Sequence, residues 1–479
     1  MGVALSKNEP QSHNENAEYF DKRSLKAGSV NWVLLIGLGV SYVISGDFSG
    51  WNYGIAKGGW LGLAIAFFAM GLMYLCTVFG LAELSSAMPT AGAGYGFARS
   101  ALGRLGGFAT GLALTIEYVC APAAISTFIV NYIVSLGFAP GVHPLIMVVV
   151  IYAIFTAIHI FGVGEALKLM FVITAIALSA LVVFFVGTVG NFQFDNLFDM
   201  SPVSSLGSSQ LLPMGLGGIL TCLPYGIWFF LGVEGTPLAS EEAENPKIDV
   251  PRGLIGSMLI LVVSGLLVLF LAAGTAGSAA IGVSDTPLID ALVFVNRPGL
   301  ATFVNWAGLA GLIASYFSLM FAGSRQIFAL SRAGYFPTCL SVTGKRKTPV
   351  AALLVLSVVG IAIAAIMRDG SLILNVAVFG ACISYALLNL SHIILRKKAV
   401  DMKRGYRTPG GTLTTAIGFC LSIVAVVSTF FVDVVAACSV LCIYVLGLLY
   451  YIFFAQNRIV GNAPEEEMAA LISAEQELR

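Results

Sequence analysis

The sequence predicts an all-α integral membrane protein of twelve spanning helices: two inverted five-helix halves followed by two extra helices. Three observations predict it. The 479 residues are 58% hydrophobic and only 10% charged, against about 25% charged in soluble proteins. Twelve apolar runs reach the roughly 20 residues that a helix needs to cross hydrocarbon. The first and sixth of these runs are each interrupted by glycine beside a single acid, at Ser45-Gly46-Asp47-Phe48 and at Leu231-Gly232-Val233-Glu234-Gly235-Thr236-Pro237.

Residues 1–28 are polar, with Lys7, Lys22, Arg23 and Lys26, and read as a cytoplasmic tail with a short interfacial segment around 19–26. The spans are predicted at 30–56, 60–86, 105–136, 144–163, 166–189, 211–241, 253–276, 300–331, 350–367, 372–395, 412–432 and 435–456. The excess length of the first, sixth and eighth is absorbed by tilt or by a break. Spans 1–5 form a first repeat over 29–190. An outer loop, 191–210, carries Asp195 and Asp199 and no basic residue. Spans 6–10 form a second repeat over 211–398. Five crossings are an odd number, so the second repeat enters from the opposite side and the site falls between the halves. Spans 11 and 12 (399–456) stand outside the repeat and read as a scaffold or a dimer contact, which leaves monomer and homodimer open. The acidic tail, 457–479, with Glu465, Glu466, Glu467, Glu475 and Glu477, reads as a short solvated helix.

Basic residues set the orientation. With the N-terminus in the cytoplasm, only Lys57, Arg297 and Arg368 of the 25 Lys and Arg fall outside. Both termini are therefore expected in the cytoplasm, and the chain in the inner (plasma) membrane. The zero net charge gives no case for nucleic-acid binding. Seven of the eight cysteines lie in apolar runs, and Cys339 in a basic loop, so they read as buried small hydrophobes rather than disulfides. No signal peptide is visible. Gly92, Gly94 and Gly96 suit a re-entrant inner loop; no strand precedes them and no Lys-Ser/Thr follows, so they form no phosphate loop. No nucleophile–base pair, nucleotide motif or metal cluster has recognisable spacing. No enzyme activity, cofactor or metal is expected.

What remains is the intramembrane acids. Each costs a few kcal/mol on insertion scales and is by default a functional hypothesis. Non-helical backbone survives in a bilayer only where protein or a water-filled cavity covers it. Paired interrupted helices in corresponding halves point to a midplane substrate site. Asp47 reads as the partner of a substrate ammonium, against the alternative of a protonated acid bonded to broken backbone. Glu234 either lines the site or satisfies freed amides. Glu117, in IEYV of span 3, faces the site or a packed polar contact, and with Glu234 is a proton-coupling candidate. Glu83 reads as a structural contact near the cytoplasm, and His159 as an interhelical donor. Among the aromatics flanking the breaks (Phe48, Trp51, Trp228, Phe229, Phe230), Phe229 and Phe230 are the preferred amine-stacking rings. A cation over such a ring gains about 0.5–2 kcal/mol.

Three stretches resemble the signature regions of the amino acid–polyamine–organocation (APC) superfamily of permeases: AELSSAMPTAGAGYGFARSALG (82–103), EEAENPKIDVPRG (241–253) and SRQIFALSRAGYFP (324–337). The likeness runs from about residue 20 to 456. Within the superfamily, LKAGSVNWVLLIGLGVSYVISGDFSGWNYGIAKGGW and IEYVCAPAAISTFIVNYI look most like bacterial ethanolamine permeases. The resemblance implies the leucine-transporter type of fold, with substrate between broken helices 1 and 6 and helices 3 and 8. The residues beside the breaks make the expected substrate-binding set Ser45, Gly46, Asp47, Phe48, Phe229, Phe230 and Glu234, to which the family geometry adds hydroxyls from Ser315 and Tyr316. Amino acid members hold the substrate carboxylate on backbone amides at the helix 1 break. Asp47 there would repel it by about 4 kcal/mol at about 4 Å and an effective dielectric near 20. The same acid favours an amine without a carboxylate, such as ethanolamine. Some proton-coupled relatives have a Lys in mid-span 5. Ala177 falls there in this chain, and Lys168 reads as an interfacial anchor. The coupling ion is expected to be a proton. The expected function is amine import by alternating access. The alternatives are an amino acid or polyamine permease or exchanger and, from another class, a channel or transporter-like receptor.

Overall fold

The structure, a computed structural model, describes residues 28, 30–90, 92–161, 163–344, 346–461, 463, 466, 467 and 470. The expected interfacial segment at 19–26, the acids Glu465, Glu475 and Glu477, and the side chain of Lys168 lie outside what is described. Among the described residues eleven helices are long and apolar enough to span a membrane, and a shorter apolar piece, Trp32–Phe48, precedes them. Together they make the twelve predicted spans.

Span 1 comprises the helix Trp32–Val43, the turn Ser45–Phe48 and a short helical stretch at 53–58, which a turn at Gly59 separates from span 2. Asn31 caps its start, accepting the Leu34 N–H at 3.0 Å. The sequence placed the break at 45–47. It lies instead at 49–52, where Ser49 is extended (φ −160°, ψ 156°) and Gly50 takes φ +96°. A side chain at Gly50 would be strained in that left-handed backbone. Span 6 breaks at 229–232, between the helix Gly215–Trp228 and the 3₁₀ segment Val233–Glu242, with Gly232 at φ +105°. The helix Ala93–Ser135 includes the re-entrant stretch before a turn at Gly103, after which span 3 begins.

Spans 4 and 5 are Pro144–Phe161 and Val163–Thr188. Span 7 is Pro246–Ala276 and span 8 is Pro298–Arg332, with the short helices Ser278–Gly282 and Pro287–Phe294 between them. Spans 9 to 12 are Val350–Met367, Gly370–Lys398, Thr412–Val432 and Val434–Phe453. Both broken helices lie in the core, where Tyr42, Trp51, Phe229 and Phe230 are fully buried. Spans 4, 5, 7, 9 and 12 turn large apolar side chains outward, among them Ile154, Val186, Val263, Val358 and Val435. That is the surface a lipid solvent requires.

The resemblance motifs pair with one another at the basic face. Arg325 donates to Glu242 at 2.6 Å and Arg332 to Glu241 at 3.1 Å, tying the C-terminal end of span 6 to that of span 8. Val30 N–H donates to Glu242 O and Glu244 N–H to Val30 O, pinning the entry of span 1 to the same segment. Glu83, fully buried, gathers Arg404 (3.0 Å), Arg396 (3.1 Å), His392 (3.2 Å) and the Thr408 N–H (2.7 Å), which confirms its reading as a structural contact. Burial lowers the pKa of the Arg404 guanidinium, and Glu83 opposes that.

The acidic tail departs from expectation at one residue. Glu466 is only 2% exposed and accepts from Arg99 at 2.7 Å, Tyr335 at 2.8 Å and Tyr95 at 3.1 Å. Burial first, and then the Glu466 charge, push the Tyr335 hydroxyl well above its ordinary pKa. The tail end therefore ties the re-entrant helix to the segment after span 8 instead of extending into water at this point.

Candidate functional site

The two breaks meet face to face. Gly46 lies so close to span 6 that a Cβ there would fall 2.5 Å from Trp228 O. Trp228 Nε1 donates to Ser49 O at 2.9 Å, and the Ser45 N–H donates to Ser315 Oγ at 2.9 Å. Phe48 packs into the space left by Gly308 and Gly311 of span 8, and Tyr132 of span 3 donates to its carbonyl at 3.0 Å. Glycine and serine are thus placed where spans 1, 6 and 8 approach most closely. Ala177 is fully buried on the same side, its Cβ 3.0 Å from a Cβ built on Gly311. At this position span 5 contributes only a methyl group.

Between these contacts, Asp47 points toward span 7, where Ser264 lies beside its carboxyl. It is 1% exposed, and neither oxygen has a hydrogen-bond partner. The Ser264 hydroxyl is donated to Leu261 O at 3.3 Å. Among the described residues no basic side chain is ion-paired with Asp47. A buried carboxylate without donors is costly unless a cation or a proton accompanies it.

A second acid cluster occupies the other side of the breaks. Glu117 of span 3 and Glu234 of the 3₁₀ segment face each other within hydrogen-bonding reach, both buried. Tyr385 donates to Glu117 Oε1 and Tyr118 to Glu234 Oε1, each at a long 3.5 Å, and Tyr385 is joined to Tyr74 at 2.7 Å. The Oε2 atoms of both acids lack a partner. Phe229 and Phe230 pack among the aromatic rings beside the breaks. Phe229 lies 5.5 Å from Trp51 and 5.0 Å from Phe67, and Phe230 lies 5.2 Å from Phe67 and 5.5 Å from Tyr74, centroid to centroid.

The structure therefore brings Ser45, Gly46, Asp47, Phe48, Ser315 and the two phenylalanines together at the breaks, and joins Glu117 to Glu234. It does not bring Asp47 and Glu234 side by side. Tyr316 turns away toward span 4, its ring 5.2 Å from Tyr152 and 5.3 Å from Phe155. His159 stacks on Phe317 at 3.8 Å, with Nδ1 against Phe155 O at 2.8 Å. Sequence reasoning missed Tyr74, Tyr118, Tyr385 and Ser264. Tyr118, adjoining Glu117, was the one with a visible signal. The others are single polar groups in apolar runs, and their facing is not written in one dimension.

Comparison with known proteins agrees with this architecture. The family profile described as amino acid permease matches residues 33–463. The chain is 29% identical over 422 residues to the methylthioribose transporter of Bacillus subtilis (strain 168), covering 84% of this chain and 86% of that one. It is 27% identical to an uncharacterised transporter of Rhizobium meliloti (strain 1021), covering 87% and 90%. It is 26% identical to the branched-chain amino acid permease BcaP of Bacillus subtilis (strain 168), covering 76% and 80%. Among solved structures, the Eremococcus coleocola manganese transporter superposes with a TM-score of 0.54 at 14% identity, over 99% of this chain and 98% of that one. The fold is the leucine-transporter type: a five-plus-five inverted repeat with spans 1 and 6 broken, followed by two more spans.

Proposed function

Because the chain belongs to the amino acid permease family of the APC superfamily, and is a multi-pass membrane transporter, we propose that it imports a small cationic amine, with ethanolamine the best fit. Three buried acids carry this reading. Asp47, Glu117 and Glu234 line the two breaks, and among the described residues none is ion-paired with a lysine, arginine or histidine. Such a site is complementary to a cation. It has no counter-charge for the carboxylate that a zwitterionic amino acid would bring, and like charges at about 4 Å repel by about 4 kcal/mol at an effective dielectric near 20. In the proposed pose the ammonium lies at Asp47, the Phe229 and Phe230 faces close over it, and polar groups at Ser45 and Ser315 receive the alcohol.

The moving parts would be the halves 29–190 and 211–398, rocking about the paired breaks in an inner membrane, with both termini cytoplasmic. Import of an amino acid is the second reading, favoured by the likeness to proteins named branched-chain amino acid permeases. Uptake of labelled ethanolamine into proteoliposomes, challenged with unlabelled ethanolamine, choline, putrescine and alanine, separates the two. Competition by ethanolamine but not alanine supports the amine reading, and the reverse order replaces it with the second.

A further inference from the structure

We propose that Glu117 and Glu234 hold a single proton between them, and that this shared proton fastens the inner piece of span 6 to span 3 and is the ion exchanged with water in each transport cycle. The proposal takes its cargo from the reading above, but the proton site stands on the geometry alone. The two carboxyl groups face each other, and one oxygen of each has no donor. One proton placed between them supplies the missing donor and leaves a single negative charge, the usual outcome when two acids share one site.

Among the described residues the surroundings supply no competing charge. Glu117 is met by Glu234, by Tyr385 and Cys382 of span 10, and by Tyr74 of span 2. Glu234 is met in addition by Tyr118 of span 3 and Tyr42 of span 1. The nearest cation beyond Tyr42 is Arg325, whose charge is taken by Glu242 at 2.6 Å. Tyr385 and Tyr118 hydrogen-bond to the pair, and Tyr74, Tyr42 and Cys382 lie near it, none of them neutralising it. The acids also lie on different parts of the fold. Glu117 is inside the 43-residue helix Ala93–Ser135, whereas Glu234 is in the first turn of the 3₁₀ segment Val233–Glu242, directly after the left-handed Gly232. When the proton leaves to water, two carboxylates remain in contact and push the 3₁₀ segment away from span 3. When a proton returns from the other side, the contact re-forms. No bond other than O–H is made or broken.

The test has two arms. Infrared difference spectroscopy on the purified full chain in lipid, titrated through neutral pH, reads the carbonyl stretch of a protonated carboxylic acid. Wild type is expected to show that band at neutral pH. Asp47→Asn should leave it, and on that Asp47→Asn background Glu117→Gln and Glu234→Gln should each abolish it, because the amide donates to the remaining acid and keeps it ionised. Glu234→Asp, which keeps a carboxyl, should retain a shifted band and controls for misfolding. In the second arm, ethanolamine added to proteoliposomes holding a pH dye should drive proton entry in wild type. Either Gln variant should lose that entry, whereas Glu234→Asp should keep it. A band surviving unchanged in both Gln variants, or proton entry persisting in them, overturns the proposal, as does uptake that follows a sodium gradient instead. Failure of wild type to move ethanolamine counts against the cargo alone, since the infrared arm still decides the proton site.

Discussion

Asp47→Asn removes one charge with almost no change in shape, and the structure says what should follow. Both Asp47 oxygens are buried without a donor, and no ion pair is broken among the described residues. The substitution should therefore leave thermal stability unchanged or raise it, since an amide is cheaper to bury than an unpaired carboxylate. Binding should respond in the opposite direction. An ammonium about 4 Å from the carboxylate, at an effective dielectric near 20, is held by about 4 kcal/mol, which corresponds to roughly three decades in Kd. Equilibrium binding of labelled ethanolamine to purified protein, with thermal unfolding on the same sample, measures both quantities. A variant that is stable and binds within about threefold of wild type would show that the charge at residue 47 does not hold the amine. A variant that fails to fold would show that Asp47 has a structural partner, contrary to its two unpartnered oxygens.

Two further predictions concern the basic face. Glu83→Ala strands Arg404, which is 7% exposed, together with Arg396 and His392. Breaking such a buried pair costs about 3–5 kcal/mol, so the midpoint of thermal unfolding should fall markedly. Glu83→Gln, which can still accept from these donors, should fall less, and equal behaviour of the two would remove the ionic argument. Glu466→Ala releases Arg99, Tyr95 and Tyr335 together. Hydrogen exchange should then quicken in the re-entrant stretch 93–102 and in 333–337, while spans 4 and 9 stay protected; unchanged exchange there would show that the tail contact holds nothing in place.

Much of the fold was legible because crossing a bilayer imposes length and hydropathy together. Spans 9 and 11 were predicted at 350–367 and 412–432 and are found at Val350–Met367 and Thr412–Val432. The breaks were legible as glycine beside an acid, but not their position. Gly46, taken as the helix breaker, serves close packing against Trp228, and Gly50 turns the chain. Composition shows that a side chain lies at hydrocarbon depth; it does not show toward which neighbour it points. Hence Asp47 was expected among the Glu234 groups and instead faces span 7, while the pairing of Glu117 with Glu234, far apart in sequence, could not be seen. The contact of Glu466 was hidden for the same reason: an acidic tail reads as solvated until the chain brings Arg99 and two tyrosines to it.

Charge selection at the two breaks is what the proposed transport rests on. Initial uptake of labelled ethanolamine into proteoliposomes, measured against equal excesses of choline, putrescine and alanine, tests that selection in one experiment. The proposed amine import predicts strong inhibition by unlabelled ethanolamine and none by alanine. Inhibition by alanine stronger than by ethanolamine itself would contradict it.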